Sequence, residues 1–224
     1  MRFEAIIFDF DGVVVDSEAL ANAAMADVLA KLGYEISGEE AVARYSGLRW
    51  RDCHRRIEED SGRSFDSEEL GSLVDAAVGA RAEEMAAIEG IAPFLAGQAR
   101  RRLAIASSSE KEWLDGTLAR LGLAAHFGDH VYSAARMTRG KPHPDIYLHV
   151  AARLGLAPST CLVIEDHPVG AAAVAMAAVP HSRVRNLRDG NEVDIMIIGL
   201  SKQAHGQVPG RSIPFHARRF LSVR

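Results

Sequence analysis

The run Glu4-Ala-Ile-Ile-Phe-Asp-Phe-Asp-Gly12 constrains this chain more than any other segment. Ala5 to Phe8 is a continuous apolar stretch rich in strand formers and bounded by polar and turn residues. That pattern predicts a strand buried on both faces. Such strands belong to parallel sheets covered by helices. Asp9 and Asp11 flank one residue at the end of this strand, so both side chains can project from the same strand end. Gly12 lets the backbone turn closely around a bound group. A calcium loop would need acidic residues at further alternating positions and a later glycine, usually after a helix. Here a strand precedes and the glycine comes at once, so the calcium reading is weak.

The rest of the chain repeats the theme. Leu103 to Ala106 and Leu162 to Ile164 read as further buried strands, and His130 to Tyr132 as a short one. Glu112 to Leu121 and Pro144 to Leu154 read as helices, with Gly122 and Gly155 where C-terminal caps are wanted. This alternation predicts an α/β fold, a parallel sheet with helices on both faces. Ligands of such sheets bind beyond the carboxyl ends of the strands. From Asp16 to about Glu89 the texture changes. Helix-like runs near Glu18 to Leu32, Trp50 to Asp60 and Ser67 to Ala87 are punctuated by Gly33, Gly38, Gly47 and Gly62. We expect an all-helical cap domain over residues 16–89, inserted into a core made of residues 1–15 and 90–224. Hinges are expected near Val15-Asp16 and Glu89-Gly90.

With 224 residues, the chain can bury a core without disulfides or structural metals. Its net charge of -4 gives no reason to expect nucleic acid or an anionic membrane as partner. No segment approaches a membrane-spanning length. The N-terminus carries Glu4, Asp9 and Asp11 without a small-residue cleavage site, so it does not read as a signal peptide. A cytoplasmic monomer is the default expectation. Cys53 and Cys161 lie in no metal-ligand spacing, and Cys161 reads as a core residue. From Pro180 onward there are eight Lys or Arg against three Asp or Glu. That tail offers only Ile195 to Leu200 as a candidate strand. It reads either as a basic contact surface or as a divergent, partly irregular end. His181, His205 and His216 are too scattered in it to suggest a metal site.

The Asp-x-Asp run has companions. The Leu-Ala-Ile-Ala strand ends at Ser107-Ser108-Ser109, Lys141 lies in Gly-Lys-Pro-His-Pro-Asp, and Leu-Val-Ile ends at Glu165-Asp166-His167. With these four motifs in this order, the sequence resembles the haloacid dehalogenase superfamily over about Arg2 to Ala175. The resemblance implies a Rossmann-like core with a helical cap and a Mg²⁺-dependent phosphatase. It makes Asp9 the nucleophile, forming an aspartyl-phosphate, and Asp11 the general acid and then base. Ser107 and the backbone N–H groups of Phe10 and Ser108 would hold phosphate oxygens beside Gly12, with Lys141 offsetting their charge. Asp9, the Asp11 carbonyl and Asp166 would bind the metal, with Glu165 acting directly or through water.

Several competing readings remain for single residues. Ser109 with Glu112 fits a capping box. His167, where relatives usually carry a small residue, reads as modifying the metal shell or as pointing to solvent. The presence of Asp11 favours phosphate over haloacid chemistry, because an ester to carbon needs no leaving-group acid. A cap lysine forming a Schiff base is represented only by Lys31, on a helix face that solvent could reach. The β-phosphoglucomutase branch implies a cap histidine and a lysine beside the cap glycine. Ala21 and Ser46 stand there instead, so water is the expected acceptor. In the cap loop, Gly47, Arg49 and Arg51 are expected to meet the substrate. The overall pattern looks like the sugar-phosphate phosphatases, some of which take 6-phosphogluconate. The expected partner is therefore a small phosphorylated metabolite, a sugar or sugar-acid phosphate, with a non-enzymatic binding protein on the same fold as the alternative.

Overall fold

The computed structural model describes residues 3–177 and, beyond them, the backbone of strands 182–188, 191–198 and 213–214. In the core, β1 (Ala5–Phe8) lies between β4 (Arg102–Ser107) and β6 (Cys161–Glu165), and β5 (Val131–Ser133) pairs outside β4. All these pairings are parallel, with Phe8 level with both Ile105 and Ile164. Side chains alternate between faces along each strand. Ile7, Ala104, Ala106 and Val163 therefore face one apolar layer, shared with α8 (Asp145–Arg153) and α9 (Pro168–Met176). Phe8, Leu103, Ile105 and Ile164 face the other, shared with α5 (Ile91–Gly97), α6 (Lys111–Arg120) and α7 (Ala124–Phe127). The α/β expectation holds. Gly122 and Gly155 both follow helix ends with positive φ, as the C-cap reading required.

Four helices lie between β1 and α5: α1 (Glu18–Lys31), α2 (Gly38–Tyr45), α3 (Trp50–Ser61) and α4 (Ser67–Gly79). They surround an apolar cluster of their own, with Leu29, Ile57 and Leu70 fully buried. Their ends are locally specified. Ser37 and Glu40 form a reciprocal capping box on α2, Asp66 caps α4, and Gly62 closes α3 in the left-handed region. Lys31 is exposed.

Two expectations need correction here. The helix expected over Ser67 to Ala87 stops at Gly79, and the chain ends the segment in a strand, β3 (Ala86–Ala87), paired antiparallel with β2 (Val15–Asp16). Two alanines carry no strand signal; the pairing is imposed by the outgoing chain, not by local preference. The C-terminal part also holds more strand than expected. β7 (Ser182–Arg188) and β8 (Asn191–Ile198) form a hairpin, β8 pairs antiparallel with β6, and β9 (Ile213–Pro214) lies beside β7. The expected strand Ile195 to Leu200 overlaps β8. His181, His205 and His216, and the side chains of the basic tail, lie outside the described residues. Among the described residues no helix is long and apolar enough to cross a membrane.

Candidate active site

Because β1, β4 and β6 run parallel and in register, their carboxyl ends deliver Asp9, Ser107 and Glu165 to one edge of the sheet. The Asp9 N–H donates to the Ile164 carbonyl at 2.9 Å, which sets Asp9 level with the end of β6. The chain then turns sharply, with the Gly12 N–H on the Val15 carbonyl at 2.8 Å and Gly12 at φ 78°. Any Cβ on Gly12 would sit 2.0 Å from a carboxylate oxygen of Asp166, so this glycine makes room for the acidic pair as well as for the turn.

Lys141 is the charge centre of the site. Its ammonium lies 2.8 Å from Asp9 and 2.7 Å from Glu165, and all three are buried. Tyr147, on the first turn of α8, donates its hydroxyl to the same Glu165 oxygen, and the ammonium stands 5.3 Å from the centre of its ring. The other Glu165 oxygen accepts the His167 N–H at 3.2 Å. Burial opposes the charge on Lys141, yet Asp9 and Glu165 together hold its pKa well above the usual lysine range. Burial likewise opposes charge on Glu165, but Lys141 prevails and lowers its pKa. Asp9 goes the other way: burial, then repulsion by Glu165, raise its pKa well above the ordinary value. Asp166 is raised by the same two causes in the same order.

Asp9, Glu165 and Asp166 can each bring an oxygen within 4.8 Å of the others. Asp9 and Glu165 share one ammonium, and the buried Oδ1 of neighbouring Asp166 has no hydrogen-bond partner among the described residues. Hard anionic oxygens short of positive charge and of donors are what a small divalent cation requires. The residues present fit such an ion.

Asp11 is placed differently. One carboxylate oxygen accepts the Ser17 hydroxyl at 2.6 Å and the other the Ser109 hydroxyl at 2.7 Å. This corrects the capping reading of Ser109. α6 starts one residue later than that pattern requires, with Glu110 as its N-cap and no side-chain cap. The Ser109 backbone meanwhile donates to the buried Ser107 hydroxyl at 3.0 Å, and its carbonyl accepts the Ser133 hydroxyl. Ser17, Ser109 and Tyr147 were not among the expected site residues. Each is joined to the site by a contact between separate elements, which no sequence spacing announces.

Residues 46–49, between α2 and α3, lie on the core. The Ser108 hydroxyl donates to the Gly47 carbonyl at 3.0 Å. Gly47, at φ 74°, lies against the His167 ring, where a Cβ would come within 2.6 Å of Nδ1. His167 is half-buried and lines the cleft. Its Nδ1 accepts the Val169 N–H at 3.2 Å and caps α9. Arg49 departs further from expectation. It is 6% exposed, donates to Asp52 at 2.5 Å and to the Thr138 carbonyl at 3.2 Å, and also to the Met137 carbonyl. Its stem covers Gly140, the residue before Lys141. The polar partners of this guanidinium are Asp52 on α3 and two carbonyls of the core, and none of them lines the cleft. Arg51 is exposed and is also not among the residues lining the cleft.

Above Asp9 and Asp11 opens a cleft of about 680 Å³, roofed by α1, α3 and α4. Ala21 and Ser46 both line it, and the Ser46 hydroxyl accepts the Asn22 amide at 3.0 Å.

Residues 3–178 match the family of haloacid dehalogenase-like hydrolases. Hexitol phosphatase B of Escherichia coli is 32% identical over 82% of this chain and 82% of its own. Fructose-1-phosphate phosphatase of Escherichia coli is 30% identical over 83% of this chain and 98% of its own. Among solved structures, a HAD family hydrolase from Deinococcus radiodurans with bound phosphate and sodium superposes with a TM-score of 0.60. It is 32% identical and covers 79% of this chain and 78% of its own.

Proposed function

This chain belongs to the haloacid dehalogenase-like hydrolases, and we propose that it is a Mg²⁺-dependent phosphatase of small phosphorylated sugars acting through an aspartyl-phosphate on Asp9. The names of its relatives support a phosphoric monoester hydrolase acting on sugar phosphates. The observation that carries the mechanism is the pairing of two aspartates with opposite settings. Asp9 is buried against Lys141, while Asp11, two residues on, is aimed by two hydroxyls.

In this reading the Asp9 carboxylate attacks phosphorus in line with the leaving oxygen. Asp11 gives its proton to that oxygen as the P–O bond breaks. It then takes a proton from the water that attacks the phosphoryl group, releasing phosphate and restoring Asp9. Ser17 and Ser109 keep the Asp11 carboxyl in one orientation through both halves. Lys141 and the Ser107 hydroxyl, with the N–H groups of Phe10 and Ser108 beside Gly12, stabilise the equatorial oxygens. Asp9, Asp166 and the Asp11 carbonyl would hold Mg²⁺, with Glu165 orienting Lys141 beside them. When bound, the ion neutralises charge between the anionic nucleophile and the anionic phosphate.

We take residues 16–89 as the cap, resting on residues 1–15 and 90–224. Ala21 and Ser46 give it no imidazole or ammonium at those places to relay a proton to a bound sugar, which favours water as acceptor. Stoichiometric release of inorganic phosphate from sugar phosphates with Mg²⁺ is the expected result. Conversion of β-glucose 1-phosphate to the 6-phosphate would overturn it. Asp9→Asn should remove turnover, by roughly 10⁴-fold or more; retained activity would sink the nucleophile assignment.

A further inference from the structure

The cap carries many arginines, and none of them lines the cleft among the described residues. Arg49 is bound to the core, while Arg44, Arg55 and Arg56 pair with Asp52 or Asp60. Beyond Asp9 and Asp11, the cleft is lined by Glu18, Asp75, Glu110 and Glu112. The one Lys or Arg among its described lining residues is Arg136, whose side chain is 83% exposed and lies 3.8 Å from Glu110 and 3.9 Å from Glu112. That guanidinium already faces two of the four carboxylates. Asp75 has neither hydrogen bond nor ion pair among the described residues. The rest of the wall combines apolar side chains, Trp50, Trp113 and Val78 among them, with neutral polar ones such as Asn22, Tyr45 and Ser46.

A second anionic group on the substrate would enter this space against uncompensated carboxylates and leave its own hydration behind. A polyhydroxyl unit meets better terms. Its C–H faces can lie on the tryptophans and its hydroxyls can donate to Asp75 and Glu18.

We propose that the cleft selects a phosphate monoester whose leaving group carries no negative charge, a neutral polyol or sugar or one bearing an ammonium, and rejects sugar-acid phosphates and bisphosphates. The inference rests on the phosphatase reading and narrows it.

Three compounds of nearly equal size test it: glucose 6-phosphate, glucosamine 6-phosphate and 6-phosphogluconate. Each is measured with Mg²⁺ as kcat/KM and, where turnover is slow, as an inhibition constant against p-nitrophenyl phosphate. The first two should exceed 6-phosphogluconate by about 30-fold. Asp75→Lys should narrow that gap by about 10-fold, through the 6-phosphogluconate value. Equal or better use of 6-phosphogluconate by the unaltered enzyme overturns the selectivity while leaving the phosphatase intact. Failure to release phosphate from p-nitrophenyl phosphate, with Asp9→Asn behaving identically, overturns the phosphatase reading and the selectivity with it.

Discussion

The core and the cap handle charge in opposite ways. In the core, Asp9, Lys141 and Glu165 are buried together and satisfied by one another, by Tyr147 and by the backbone. In the cap, several charged side chains pair three or four residues apart near the surface, such as Arg56 with Asp60 and Arg55 with Asp52. Exposed pairs of that kind contribute little to stability, whereas a buried cluster is sensitive to every member. On the proposed reading the reaction is built into a part of the molecule that tolerates little change. Selection of the leaving group then falls to the helices that roof the cleft.

The sharpest way to break this contrast is Lys141→Met. Removing the ammonium leaves Asp9 and Glu165 buried without compensation, and we expect a loss of about 3–5 kcal/mol in denaturant unfolding. Arg56→Met, its cap counterpart, should cost about 0–1 kcal/mol. Equal costs would mean that the core cluster is no more sensitive than the surface pairs of the cap.

A second test uses the metal without turnover. Mg²⁺ at 100 times its Kd should stabilise the fold by about 2.7 kcal/mol, seen as a rise in Tm. Asp166→Asn should abolish most of that rise; an unchanged Tm in the unaltered protein would contradict the divalent site.

Arg49→Ala probes the seam between the two regions. It removes a buried guanidinium from the Met137 and Thr138 carbonyls, so a stability cost of about 1–3 kcal/mol is expected. Activity should fall as well, because the same loop carries Lys141. If instead only the KM for substrate rises and stability is unchanged, Arg49 acts in the cleft after all.

The smallest effects come from the two thiols, one in each region. Burial pushes Cys53, in the cap, up to about 12 and Cys161, in the core, up to about 11. In the unfolded chain both ionise near pH 8.5. A raised thiol pKa favours the folded state fully below that value, so the contribution disappears as pH rises from about 8.5 towards 12. Both should react slowly with a thiol reagent at pH 8 under native conditions. Mass spectrometry should find Cys53 modified first, because the cap is the smaller cooperative unit. Cys161 leading would reverse the ranking of the two regions.

Much of the candidate site's edge was legible because its residues follow strand ends, where a buried apolar run stops at a polar side chain. Asp9, Ser107, Glu165 and Asp166 all announce themselves that way. Lys141 was legible only through the segment around it. The seam was not legible. Arg49 looked like a free cation because nothing in sequence says that residues 46–49 descend onto the Met137 to Gly140 loop. Ser109 followed a capping pattern, yet its hydroxyl found Asp11 instead of the helix backbone. Ala86 and Ala87 became a strand through a partner some seventy residues away. In each case a contact distant in sequence outweighed a local preference.

That last pairing has a consequence for how such a protein can change. Asp16 and Ala86 are cross-strand neighbours, so the chain leaves and re-enters the core across a gap of about 5 Å. Everything between them is an excursion with joined ends, and a short turn would close the core if it were removed. Loop length costs little when the ends are already held together. The cap is thus an interchangeable part. A different helical segment, grafted between those two positions with the Gly47 and Arg49 contacts to the core retained, would present the same site to a different molecule.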